Sequence, residues 1–383
     1  MHTHNAHAII GGNVLTSDGQ FEEATVLIEH GNIVDITGDS VPKGINVIDA
    51  SDSLVLPGIV DVHGDSFERQ IMPRAGVEVD TGIALIDSDR QMLANGITTA
   101  FHGVTYSWEP GLRGRDTLHK IRHVLDKLQD RLCVDTRLHM RFETFNLSAE
   151  NEVIDWLSSG AIDLLAFNDH TGSMVTDRNN TKKVQRVLDR TGLNRDDYLA
   201  LLDSVYSQAA DVDPLIDRLA NASQKHKVPM FSHDDDSPDV RTRYNKLGCH
   251  TSEFPLNCET AKTAAMLGNE VVVGAPNVIR GGSHIGGSSA AQLISDGSGT
   301  VIASDYYYPA LWYAAFTLVQ QGLLKLPEAW ALVSKNPARA TGLHDRGDIA
   351  KNMRADLLVV DHVETSYPRL KVAMAQGKLT TFH

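Results

Sequence analysis

Short apolar runs separated by turn residues occupy both ends of the chain. The N-terminal runs are H-A-I-I, A-T-V-L-I, N-I-V-D-I-T and I-N-V-I-D-A, with G-G-N, E-H-G-N and G-D-S as turns. Such runs are typical of β-strands. The C-terminal region has the same character, with R-A-D-L-L-V-V-D from Arg354 and a last strand expected near residues 371–374. We therefore predict an antiparallel N-terminal β unit and a small β-sandwich domain built from residues 1–55 and 345–383.

The middle of the chain, residues 56–344, alternates apolar strand-like runs with helical patterns. Repeated strand–helix units imply a parallel sheet, and eight of them predict an α/β fold of the distorted (β/α)8 TIM-like barrel type. An open doubly wound sheet is the alternative, but G-D-S-F-E after the first strand is not its glycine-rich phosphate turn. The eight predicted strands are 59–62, 97–101, 136–143, 162–167, 228–232, 252–254, 270–274 and 301–303.

Polar side chains stand where the first barrel strand ends. The stretch from Leu54 reads L-V-L-P-G-I-V-D-V-H-G-D, which places His63 and Asp65 two residues apart. Residues at this spacing on a strand share a face, and an imidazole beside a carboxylate suits a divalent cation. A core histidine beside a turn aspartate would give the same pattern.

Several later strands end in the same way. The third reads L-H-M-R-F-E, the fourth ends F-N-D-H-T-G, the fifth ends M-F-S-H-D-D-D, and the eighth ends A-S-D. Chemistry in a βα barrel gathers at the carboxyl ends of the strands, and carboxylates collected there repel each other unless a cation separates them. The predicted metal ligands are His63, Asp65, Glu143, His170, His233 and Asp305.

Six ligands suffice for two divalent metal ions, Zn²⁺ or Mn²⁺ with Fe²⁺ also open, and the oxygen-rich set leans toward Mn²⁺. Glu143 is predicted to bridge the two ions. Asp305 is the predicted catalytic general base, because no imidazole accompanies it on its own strand.

Cationic and donor groups that suit a phosphorylated substrate follow the seventh and first strands. In V-I-R-G-G-S-H, Arg280 can clamp a phosphate, the glycine N–H groups can approach it, and Ser283 and His284 add donors. A flexible loop with an incidental arginine is the alternative. Arg74 offers a second cation or is a surface residue, and His102 faces the substrate or fills the rim.

Composition narrows the classes of function. The 383 residues carry a net charge of −14, which argues against nucleic-acid binding. Three scattered cysteines form no disulfide framework, no basic and apolar leader is seen, and no apolar run approaches the ~20 residues of a membrane span. We expect a cytoplasmic protein that binds a small phosphorylated molecule, with no membrane partner, and a homo-oligomer remains open.

The motifs of the barrel resemble a known group of enzymes. The frame L-P-G-x-V-D-x-H, the later histidines and the closing G-D-I-A-K-N-M-R-A-D-L-L-V-V-D resemble the amidohydrolase superfamily, in which most members carry H-x-H rather than H-G-D. The runs H-G-D-S-F-E-R-Q-I-M-P-R, G-A-P-N-V-I-R-G-G-S-H and S-D-Y-Y-Y-P look like the PhnM family of the carbon–phosphorus lyase pathway. That resemblance implies hydrolysis of a ribose 1-phosphonate 5-triphosphate to the 5-phosphate and diphosphate.

Two other functions stay open at this point. The same metal site could hydrolyse a C–N bond, as in a cyclic amidase or a deaminase, although an amide substrate needs no arginine clamp. Alternatively, the barrel could be a non-enzymatic scaffold that has lost its chemistry, although such a protein should have gaps among its ligands.

Overall fold

A computed structural model describes residues 6–38, 41–281, 289–365 and 367–382. Its strands are β1 (Ala6–Leu15), β2 (Phe21–Glu29), β3 (Asn32–Thr37), β4 (Asn46–Asp49), β5 (Leu54–Pro57), β6 (Ile59–Gly64), β7 (Ile97–Tyr106), β8 (Asp135–Glu143), β9 (Leu164–Asn168), β10 (Met230–His233), β11 (Thr251–Glu253), β12 (Glu270–Gly274), β13 (Val301–Ala303), β14 (Leu357–Asp361), β15 (Arg369–Ala375) and β16 (Lys378–Thr381).

The helices lie mainly between the barrel strands. They are α1 (Phe67–Ile71), α2 (Thr81–Ala94), α3 (Arg115–Leu128), α4 (Glu150–Ser159), α5 (Thr171–Thr176), α6 (Thr181–Thr191), α7 (Arg195–Tyr206), α8 (Val212–His226), α9 (Pro238–Lys246), α10 (Cys258–Met266), α11 (Ala275–Arg280), α12 (Ala290–Ser295), α13 (Tyr308–Gln320), α14 (Leu326–Ala331) and α15 (Lys335–Ala340).

Strands β6 to β13 form one parallel sheet in sequence order, which confirms the predicted barrel and all eight of its strands. The first and last strands meet at their carboxyl ends. There the Asp305 N–H donates to the His63 carbonyl at 2.9 Å, and the Asp65 N–H donates to the Asp305 carbonyl at 3.0 Å. These two bonds close the sheet at the rim where the predicted ligands lie.

The barrel interior below this rim is apolar. Side chains such as Val60, Phe101, Leu164, Phe231 and Val301 fill it and are almost completely buried. Parallel strands covered on both faces read as nearly continuous apolar runs, which is why their positions were visible in the sequence. This packed floor leaves the carboxyl rim as the part of the barrel where polar side chains can meet.

Strands β1 to β5 and β14 to β16 form a second sheet from both chain ends, and this sheet has its own apolar core. The contribution of both termini agrees with the prediction, whereas the purely antiparallel N-terminal unit was wrong. Strands β4 and β5 both run parallel to β1, because the β2–β3 hairpin intervenes before the chain returns. The short polar strand β16 was also missed. The division at residues 55/56 and 344/345 stays a prediction.

An ionic cluster joins the second sheet to the amino end of the barrel. Asp135, at the start of β8, accepts from Arg346 at 2.5 Å and from Arg354 at 2.7 Å, and its neighbour Arg137 lies 3.2 Å away. Burial alone would raise the pKa of Asp135, but the three arginines outweigh it and hold the pKa well below its ordinary value. The cluster therefore favours the ionised carboxylate and anchors the segment before β14 to the barrel.

No helix among the described residues has the length and apolarity needed to cross a membrane. The cytoplasmic location stays a prediction of the sequence.

Candidate metal centre

The six predicted ligands converge at the carboxyl rim of the barrel. The rings of His63 and His233 lie 5.4 Å apart between centroids, and those of His233 and His170 lie 5.8 Å apart. Asp65 and Asp305 are joined through their backbones, and Glu143 contacts His170. The role of these residues as ligands stays a prediction, but their proximity is what that role requires.

A first group of donor atoms lies deep in this rim. It consists of His63, His139 and Glu253, whose side chains are between 0 and 1% exposed. Glu253 Oε1 lies 2.8 Å from His63 Nδ1, and Oε2 lies 3.8 Å from His139 Nε2. Within the described chain, none of these four atoms has a hydrogen-bond partner. A buried carboxylate needs a positive charge or hydrogen bonds to offset its loss of hydration. Nitrogen and oxygen atoms that face each other without hydrogen bonds therefore fit the coordination of one shared divalent cation.

A second group lies nearer to solvent and contains His170, His233 and Asp234. Asp234 Oδ2 is 3.2 Å from His170 Nε2 and 3.2 Å from His233 Nδ1. One ligand atom from each residue can be chosen so that all three lie within 4.8 Å of one another, and the same holds for the deeper group. The donor set of imidazoles and carboxylates suits Zn²⁺, Mn²⁺ or Fe²⁺. Each of the two groups could therefore hold a divalent cation.

Glu143 orients His170. Its Oε1 accepts from His170 Nδ1 at 2.6 Å, and Oε2 accepts from the His170 backbone N–H at 3.2 Å. Burial would raise the pKa of Glu143, but His170 overcomes this and lowers it. A carboxylate that holds one ring nitrogen presents the other nitrogen to a metal, as is common at metal-bound histidines. In this structure Glu143 orients the His170 ring in this way. The predicted bridging of two ions by Glu143 stays a prediction.

The protonation states of the histidines differ with their surroundings. Burial lowers the pKa of His63 well below its ordinary value and that of His139 to about 3, so both imidazoles are neutral. The His139 Nδ1–H donates to the Val62 carbonyl at 3.0 Å, which leaves Nε2 with a free lone pair. By contrast, the charge of Glu143 raises the pKa of His170 to about 9. The deep group is thus ready to bind a cation, whereas His170 must release a proton first.

Asp305 lies at the rim, where its backbone bonds to the first barrel strand close the sheet. Its backbone is left-handed, with φ of +56°, a conformation that aspartate tolerates better than most residues. Burial and the neighbouring charge of Asp65 raise the pKa of the Asp305 carboxyl to about 7. Below it, Asp61 accepts from Ser304 Oγ at 2.5 Å and from the Ser304 N–H at 3.0 Å. This buried pair ties β6 to the residue that precedes Asp305.

The predicted substrate-binding residues differ in their exposure to solvent. Arg280 ends α11 after the seventh barrel strand, and Arg74 follows the first strand; both are exposed. His102 is instead 1% exposed, its ring lies 4.6 Å from that of Phe67, and burial lowers its pKa to about 4. Its environment is that of a residue filling the rim. Ser283 and His284 lie outside the described residues.

Four residues of this centre were absent from the predicted set: His139, Arg141, Asp234 and Glu253. The alternation in L-H-M-R-F-E placed His139 and Arg141 on the face of Glu143, and Asp234 follows His233 directly, so a signal existed for these three. Glu253 ends a strand of only three residues, and its side-chain direction could not be read from so short a run.

Comparison with known proteins gives a relative over nearly the whole chain and a shared fold. No family model matches the chain. The chain is 28% identical over 376 residues to the alpha-D-ribose 1-methylphosphonate 5-triphosphate diphosphatase of Escherichia coli (strain K12), covering 97% of this chain and 99% of that protein. A crystal structure of an amidohydrolase superposes with a TM-score of 0.69 at 15% identity and covers 99% of both chains.

This protein is a hydrolase. It has the barrel and β domain of the amidohydrolase fold, and the prediction of an enzyme is confirmed over that of a scaffold. A further similarity is local: 56 residues, 14% of this hydrolase, are 39% identical to the dihydropyrimidinase of Dictyostelium discoideum and cover 11% of that protein.

Proposed function

We propose that this hydrolase is a metal-dependent diphosphatase that cleaves a phosphoanhydride bond of a ribose 1-phosphonate 5-triphosphate and releases diphosphate. Two observations support the proposal: the rim carries two groups of side chains that could each hold a cation, and the chain is similar to the diphosphatase over 97% of its length. A triphosphate brings several negative charges to the site, and hydrolysis at phosphorus requires cations where that charge collects.

Each residue of the centre has a distinct role in this proposal. His63, His139 and Glu253 would hold one cation, and His170, His233 and Asp234 would hold the other, with Asp65 and Asp305 beside them. Bound divalent ions supply an acidified water and neutralise charge on the phosphoryl oxygens. Asp305 takes the proton of the attacking water, and Glu143 keeps His170 oriented. Arg280 and Arg74 are exposed after the seventh and first strands, and they bind the outer phosphates of the substrate's triphosphate group.

The test compares substrates on one preparation purified without chelators. Hydrolysis of the ribose 1-phosphonate 5-triphosphate, followed as diphosphate release, should exceed hydrolysis of cyclic amides by orders of magnitude. Removal of metal with a chelator should abolish it, and added Zn²⁺ or Mn²⁺ should restore it. Release of monophosphate alone, or no release from the metal-loaded protein, would reject the proposal.

A second candidate is hydrolysis of a C–N bond in a cyclic amide. The local similarity to dihydropyrimidinase favours it, but that similarity covers 14% of this chain. A cyclic amide carries no phosphate for the two arginines to bind. Turnover of dihydropyrimidines that is unchanged when Arg280 is replaced by alanine would support this candidate over the diphosphatase.

A further inference from the structure

Arg141 places a guanidinium group among the ligands of the candidate metal centre. It lies on β8 between His139 and Glu143, and its side chain is 7% exposed. Nη1 is 3.2 Å from Asp65 Oδ2, and Nη2 is 3.3 Å from His233 Nε2. The guanidinium therefore reaches from a carboxylate of the first strand to an imidazole of the fifth, across the rim.

A guanidinium cannot serve as a metal ligand. It stays protonated at any physiological pH and has no lone pair to offer. At this position it also repels a nearby divalent cation, and its charge lowers the pKa of both His63 and His139. Metal affinity alone therefore gives no reason for an arginine here. Besides its contact with Asp65, its charge favours an anionic group that enters the centre.

Arg141 has donor capacity left over. Nε is buried and finds no acceptor within the described part of the chain. A buried donor of this kind is normally satisfied, so Nε is available to an acceptor from outside the chain, such as a substrate oxygen or a water. A phosphoryl group has several anionic oxygens that match the planar fork of a guanidinium, whereas a neutral amide offers a single carbonyl oxygen.

The neighbouring strand provides the space that the arginine uses. Gly103 on β7 faces the stem of Arg141, and a Cβ at that position would lie 3.2 Å from Arg141 Cδ and 3.3 Å from His63 Nε2. The absent side chain lets the arginine stem and the ligand of the first strand approach each other closely.

We propose that Arg141 is a substrate-binding residue that holds a phosphoryl group at the metal centre. When substrate binds, the guanidinium would exchange its contacts with Asp65 and His233 for phosphoryl oxygens. This inference rests on the proposed function and deepens it, since it assigns recognition of the substrate's charge to a residue inside the centre, apart from Arg74 and Arg280 at its edge.

The experiment measures binding rather than turnover. Inorganic diphosphate is titrated calorimetrically into metal-loaded wild-type protein, Arg141→Met and Arg141→Lys, and metal affinity is measured separately by competition with a chelating dye. Arg141→Met should weaken diphosphate binding at least tenfold and leave metal affinity equal or several-fold tighter, because a like charge is gone. Arg141→Lys should recover part of the diphosphate affinity. The exposed Arg186 on α6, replaced by methionine, is the charge-matched control and should change neither quantity.

Two outcomes overturn the inference: unchanged diphosphate affinity in Arg141→Met, or a fall in metal affinity that accounts for the loss, which would make Arg141 a support for the ligands. The proposed function fails separately. Wild-type protein that binds diphosphate through Arg141 without hydrolysing the triphosphate would refute the diphosphatase and retain this anion site.

Discussion

Glu253 Oε1 lies 2.8 Å from His63 Nδ1, yet the two atoms are not aligned as a hydrogen bond, and the described chain offers neither of them another partner. The pair contrasts with Glu143 and His170, whose contact of 2.6 Å is a hydrogen bond. A fully buried carboxylate without bonds costs several kcal/mol. The contrast separates a glutamate that orients a histidine from one that shares a cation with it.

Replacing Glu253 with glutamine tests that distinction. The amide keeps the size and loses the charge, so we expect the deep cation to bind at least roughly 10–100-fold more weakly and about one of two metal equivalents to disappear. Metal content by mass spectrometry, with circular dichroism to check folding, measures this. Glu270→Gln is the matched control, because Glu270 begins the next barrel strand and pairs with Arg339 of α15. Full metal content in Glu253→Gln would show that the glutamate is no ligand.

Asp305→Asn should separate catalysis from metal binding. Asparagine also tolerates the left-handed backbone at this position, so the barrel closure survives the change. If Asp305 is the general base, kcat should fall about 10²–10⁴-fold while metal content stays nearly intact. Asp52, a left-handed aspartate in a turn of the second sheet, is the control, and Asp52→Asn should keep full activity. Loss of metal along with turnover would make Asp305 mainly a ligand.

Gly103→Ala should disturb the centre without unfolding the protein. The added Cβ would press on Arg141 Cδ at 3.2 Å and on His63 Nε2 at 3.3 Å, so both groups must shift by a few tenths of an ångström. We expect weaker binding of diphosphate and of metal, measured by calorimetry, with a melting temperature within a few degrees of the wild type. Gly172→Ala in α5, where a Cβ meets open space, should change neither. Unaltered binding in Gly103→Ala would mean that Arg141 and His63 can shift to accommodate the methyl group without loss of function.

Asp135→Asn should destabilise the protein in a pH-dependent way. The folded-state pKa of Asp135 lies below its ordinary 3.8, so its contribution to stability is complete above the unfolded pKa and is lost as pH falls through the folded pKa. We expect the variant to lose about 2 kcal/mol of unfolding free energy near neutral pH, somewhat less than for a fully buried pair.

Denaturant unfolding at several pH values measures this difference. It should stay constant from roughly pH 8 to pH 5 and shrink below about pH 4, because the Asp135 carboxylate of the unfolded wild-type chain then takes up a proton while that of the folded chain stays ionised. Asp126→Asn is the control, since Asp126 is half exposed and pairs with Arg122 at the surface, and it should cost at most about 0.5 kcal/mol. A difference that persists unchanged into acid would place the effect of Asp135 in packing rather than charge.

The sequence predicted the barrel because its strands are continuous apolar runs that end in polar residues, as His63 and His233 show. It predicted less of the centre, since strand ends do not reveal which side chains turn toward each other. Glu253 ends a run too short for its direction to be read, and the partnership of Glu143 with His170 depends on contacts between strands. The parallel pairing of β1 with β4 and β5 had no local signal, because it depends on a return of the chain around a hairpin.

The two hydrogen bonds that join the first and last barrel strands can form only late in the synthesis of the chain. His63 and Asp65 leave the ribosome early, but the backbone of Asp305 that fixes them is made only after more than half of the chain has followed. A nascent chain therefore carries β6 with its edge open and its acidic residues unshielded. A metal centre that uses the complete rim would therefore form only after the last barrel strand has been made.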